Sequence, residues 1–85
     1  MTTDIIEKYV EDTVRKNIVI NIHFKERNTV AGVFVRGNDY EELKKKNFWR
    51  IVSPANMQNW SKTKNINFAR LYNGAAFTKL SDFKN

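Results

Sequence analysis

Catalysis needs groups in partnership, and this chain offers few. His23 is the only histidine and there is no cysteine. A general base needs a partner within hydrogen-bond reach, and a zinc site needs several ligands. No spacing around His23 supplies either, so it reads as a structural or surface residue on the weaker face of a strand. Glu41 and Glu42 are adjacent, point in different directions on a helix, and do not make an acid–base pair. Gly32, Gly37 and Gly74 are isolated, with none of the spacing of a phosphate-binding loop. No catalytic residue, metal or cofactor is expected, and the chain reads as a non-enzymatic binding module.

The residues suited to binding are basic and aromatic. Residues 1–43 hold six Lys/Arg and eight Asp/Glu, a balance of −2, whereas residues 44–85 hold nine Lys/Arg and only Asp82, a balance of +8. Within that positive half lie Lys44, Lys45, Lys46, Arg50, Trp60, Lys62, Lys64, Arg70 and Tyr72. Cations suit phosphates and flat rings suit unstacked bases, so these nine residues are the predicted site for single-stranded RNA or DNA. Trp60 and Tyr72 are expected to be exposed, because each sits at a loop or turn. Against this, Phe48, Trp49, Phe68 and Phe77 read equally well as core, and an AT-rich coding sequence would enrich lysine without any polyanion partner. The alternative is a protein-interaction or self-assembly module, a homo-oligomer using an exposed strand edge or an apolar patch around Met57 and Trp60.

The elements that must position these residues follow from periodicity. Ile6, Tyr9, Val10, Thr13 and Val14 fall on one face of a helix over residues 3–16. Asp4 is the expected cap, with Glu7 three residues on, Arg15 and Lys16 suit the last turn, and Asn17 is the expected stop. A hairpin over residues 18–36 follows. Ile18, Ile20, Ile22 and Phe24 share its core face, and the second strand is apolar on both faces and so central. Gly32 in mid-strand marks a bend or a close backbone approach. Asp39 to Lys46 reads as a short helix with Asp39 as cap, Glu42 completing the box, and a Glu41–Lys45 pair. Phe48 to Val52 reads as a third strand, and Ser53-Pro54 opens a helical turn. Residues 66–72 and 75–80 read as a final hairpin about Asn73-Gly74, a type I′ turn signal, followed by a frayed tail over residues 81–85.

Eighty-five residues make one domain with one modest core. No signal peptide and no apolar run of spanning length is read from the sequence, so a cytoplasmic protein without a membrane partner is expected. The predicted class is mainly β (α+β): an N-terminal helix on a bent, partly closed, five-stranded antiparallel small barrel over residues 18–80.

Two stretches, Val30-Ala-Gly-Val-Phe-Val-Arg-Gly-Asn-Asp39 and Arg70-Leu-Tyr-Asn-Gly-Ala-Ala-Phe-Thr-Lys-Leu80, resemble the second strand and last hairpin of the Sm-like family, including its bacterial RNA-chaperone branch. The resemblance implies a helix on a small bent barrel, a glycine at the bend of the second strand, and ring assembly. The chain departs from the pattern in the longer spacing from Gly32 to Asp39 and in an insertion over residues 53–65. Asn73 and Gly74 stand where the bacterial branch has an RNA-binding Lys-His pair, so the resemblance implies the fold without that site.

Overall fold

The computed structural model describes residues 1–16 and 18–82, with the side chains of residues 12–16 outside the description. Helix α1 (Thr3–Lys16) leads into strands β1 (Ile20–Phe24) and β2 (Val30–Val35), then helix α2 (Tyr40–Lys45), strand β3 (Phe48–Val52), helix α3 (Met57–Thr63), and strands β4 (Ala69–Asn73) and β5 (Phe77–Asp82). Short 3-10 turns occupy Pro54–Asn56, Ile66–Phe68 and Gly74–Ala76. The fold class expected from the sequence, an N-terminal helix followed by five antiparallel strands, is the one observed. Among the described residues no helix is long and apolar enough to cross a membrane.

α1 forms because its apolar stripe has somewhere to go. Ile6 and Val10 are fully buried and join Ile20, Ile22, Phe34, Trp49, Ile51 and Phe77 in the main core. Each such side chain removed from water contributes about 1.5–3 kcal/mol. Asp4 lies inside the acidic first turn, one residue beyond the helix start, so it serves the helix dipole and not the expected cap. The expected placing of Thr13 and Val14 on the inward face, the basic pair Arg15 and Lys16 at side-chain level, and the stop at Asn17 lie outside the described residues.

β2 is the strand on which the sheet turns. Val30, Ala31 and Gly32 pair with Ile22, Asn21 and Ile20 of β1, whereas Val33, Phe34 and Val35 pair with Val52, Ile51 and Arg50 of β3. The strand therefore changes partner at Gly32. A Cβ there would run into the Ile51 side chain and come within 3.1 Å of the Val52 carbonyl oxygen, so close approach requires the glycine, as the mid-strand position implied. Inward residues of both halves meet in the main core. On the outer face Val35 and Val52 are covered by Trp60 of α3, with Met57 and Ala69 packed alongside.

The strand order is β4-β3-β2-β1-β5, and this corrects two expectations. The barrel is not closed: β4 and β5 are the two edges of the sheet. Nor do they form a hairpin, because β5 pairs with β1 and β4 with β3. Asn-Gly misled here for a physical reason. The Asn73 side chain accepts a hydrogen bond from the Ala75 N–H and starts a 3-10 turn, and Gly74 has no positive φ. Its missing Cβ answers a steric need, since one would meet the Asn47 side chain, Ile6 Cδ1 at 2.6 Å and Trp49 Nε1 at 2.8 Å. The expected tail is also shorter: Ser81 and Asp82 belong to β5, paired with Asn21 and Ile20, and residues 83–85 lie outside the described residues.

Asn47 fixes this junction. It adopts a left-handed φ of 62° after α2. Its carbonyl accepts from the Gly74 N–H at 2.7 Å, its Oδ1 accepts from Trp49 Nε1 at 2.8 Å, and its Nδ2 donates to the Met1 carbonyl at 3.0 Å.

Candidate functional site

The nine predicted site residues do not share one face. Lys44 is half-committed to structure: its Nζ lies 2.9 Å from Glu41 and 3.5 Å from Glu7. The hydrogen bond with Glu41 raises its pKa above the ordinary value. Glu41 thus pairs with Lys44, three residues on, and not with the expected Lys45 four residues on. Arg50 is tied to Asp39 by two parallel bonds, Nε–Oδ1 at 3.2 Å and Nη2–Oδ2 at 2.7 Å. Asp39 holds the N-cap position of α2 but makes no side-chain cap bond, because its carboxylate is turned to Arg50.

Trp60 is a correction. It is 5% exposed, since the segment after β3 folds back over Val35 and Val52, and the apolar patch expected around Met57 and Trp60 is this second core. The indole also lines a hollow of about 360 Å³ with Arg36, Gly37, Asn38, Lys64 and Ile66, where Lys64 Nζ lies over the ring, 5.7 Å from its centroid. Lys45, Lys46 and Lys62 are exposed and line neither this surface nor the clefts described next.

Arg70 and Tyr72 are brought together. Both project from β4 opposite Ile51 and Trp49 of β3, on the inward face of the sheet. Because β4 is an edge, that face opens there into a cleft of about 330 Å³ lined by Arg70, Tyr72, Phe68, Ser53, Asn56 and Arg27, with Val30, Ala31 and Ile51 as its floor. No carboxylate lines it, and among the described residues none lies within ion-pair distance of Arg27 or Arg70. Tyr72 is half-buried rather than fully exposed.

Arg27, from the β1–β2 turn, is the residue that sequence reasoning missed. Its guanidinium carbon sits 5.0 Å from the Phe24 ring centroid and 5.5 Å from that of Tyr72, and the two rings are 5.6 Å apart. Such distances are within cation–π range. On the far side of Arg27 is a second, shallower hollow of about 480 Å³, lined by Phe24, Lys25, Glu26, Asn73, Ala75 and Ala76. The signal was Phe24-Lys-Glu-Arg-Asn28, a turn with two cations directly after an aromatic. It was hidden because it falls in the half of the chain whose total is negative.

His23 takes a structural place. Its Nε2 is 3.0 Å from Ser81 Oγ and its Nδ1 3.2 Å from Thr29 Oγ1, so it joins β5 to the start of β2. Among the described residues no three His, Asp or Glu side chains gather in a way that would hold a metal ion.

Against protein-family models, curated proteins and solved structures, the chain finds no match.

Proposed function

We propose that this protein is a non-enzymatic module that binds single-stranded nucleic acid, RNA in the first place, at the mouth of the bent sheet. The observation that carries this is the Arg27 guanidinium lying over both Phe24 and Tyr72 beside a carboxylate-free cleft that also presents Arg70. Single strands are held by cations that track phosphate and by flat groups on which bases stack, and this mouth offers both within a few residues. The helix ahead of five strands and the glycine at the turn of β2 support a kinship with Sm-like proteins as part of the same reading, while the open sheet departs from it. Titration of a labelled adenylate or uridylate dodecamer at low salt tests the proposal. Binding that weakens steeply as salt rises supports it, and no binding at low salt overturns it.

A second reading, self-assembly, is favoured by one observation. Among the described residues β4 and β5 each have a strand partner on one side only, and Leu71 on the outward side of β4 is 48% exposed. Unpaired edges template strand addition. Light scattering across a concentration series decides it: a stable oligomer that binds no polyanion would replace the first reading.

A further inference from the structure

We infer that Arg27 is a divider between two nucleotide subsites, so that the ligand unit read at this mouth is a dinucleotide step, one base on either side of the guanidinium. The inference rests on the nucleic-acid reading above and specifies its register. Arg27 is the one side chain that lines both hollows. Each hollow has its own aromatic wall, Tyr72 in the first and Phe24 in the second. Each is near the small end of the range of ~300–1,000 Å³ for ligand pockets, a size for one nucleotide and not for a run of them.

The chemistry of the two hollows differs in a way that gives the strand a place for its phosphates. The Tyr72 hollow carries Arg70 as well as Arg27 and no acid, with Ser53 and Asn56 as polar lining. The Phe24 hollow carries Lys25 and Glu26, and Asn73, whose Oδ1 is already occupied by the Ala75 N–H. A phosphodiester that bridges the hollows passes Arg27 and meets its N–H groups, while a base can stack on a guanidinium plane as well as on a ring. Arg27 is exposed, and its guanidinium lies within cation–π reach of both rings. A lysine here would keep the charge and lose the plane.

The experiment uses the full chain and three adenylate probes: 5′-AMP, the 5′-phosphorylated dinucleotide, and a dodecamer. Affinities and amide shifts are measured for the native protein, Arg27→Lys and Arg27→Ala, each checked for native folding by its amide spectrum. The dinucleotide is expected to bind about tenfold or more tightly than the mononucleotide, as one further stacked base implies. It is expected to move amides on both sides, in residues 24–27 and 70–76, and Arg27→Lys is expected to lose most of the gain. If the dodecamer binds but the dinucleotide shows no gain over the mononucleotide, or Arg27→Lys keeps the whole gain, the two-subsite inference is overturned and the broader reading stands. If the dodecamer does not bind, both fall.

Discussion

The Arg50 guanidinium grips the Asp39 carboxylate through two parallel bonds, the shorter 2.7 Å, and so joins the middle of β3 to the start of α2. The hydrogen bond from Arg50 holds the Asp39 pKa below its ordinary value of 3.8. A carboxyl whose folded pKa is depressed contributes stability above the unfolded pKa and loses it as pH falls through the folded one. Asp39→Asn is therefore expected to lower the urea midpoint by a constant amount from neutral pH down to about pH 5. Below pH 3.8 the difference should shrink toward zero. A difference that stays constant into strong acid would show that the ion pair carries none of it.

The same pairing separates structural charge from binding charge. Lys44 and Arg50 are engaged by carboxylates, whereas Arg27 and Arg70 face the cleft. Lys44→Met should leave dodecamer affinity and its salt dependence unchanged. Arg70→Ala should weaken binding and reduce the logarithmic salt slope by about one. Equal effects from the two variants would mean that only total charge matters.

Gly74 is a steric requirement rather than a conformational one. A Cβ would meet Asn47, Ile6 and Trp49 at once, and none of these is free to withdraw: Asn47 is bonded on three sides, and Ile6 and Trp49 are core. Gly74→Ala is expected to cost about 1–3 kcal/mol, the usual range for overpacking, read from equilibrium urea unfolding. An unchanged midpoint would require the junction to be looser than its contacts imply.

Tyr40 offers a substitution in the opposite direction. Its ring packs edge-on to Trp49, with centroids 6.1 Å apart, and Arg36 and Lys44 lie over it at 5.0 Å and 5.4 Å. Its hydroxyl is buried and finds no hydrogen-bond partner among the described residues. Burial pushes its pKa above the ordinary 10.0. Tyr40→Phe keeps the ring and removes the orphan group, so thermal unfolding should show stability unchanged or raised by up to about 1–2 kcal/mol. A clear loss would mean that the hydroxyl is bonded after all.

Local patterning carried much of the architecture. α1 and the first three strands were legible because α1 buries one regular stripe, β1 alternates as Ile20 and Ile22 show, β2 is apolar on both faces, and β3 is rich in β-formers. What escaped was set by distance in sequence. The partner of β5 is β1, and no turn signal at Asn73-Gly74 encodes that. Trp60 looked exposed because it was placed at a loop or turn, yet it closes the outer core over Val52 together with Met57 and Ala69. For the site, Arg70 and Tyr72 were legible as cation and ring. Arg27 was not, because a charge balance taken by halves cannot see that a turn at residue 27 stands across from an edge strand at residue 72.

The placement of β5 also sets an order of events during synthesis. β1 to β4 form a meander in which each strand meets its chain neighbour, and contacts nearer in sequence cost less chain entropy to close. β5 must instead return to β1, as in the His23–Ser81 pair, 58 residues apart. Until Phe77 and the residues after it leave the ribosome, the outer rim of β1 lacks its strand and is open to pairing with a neighbouring nascent chain.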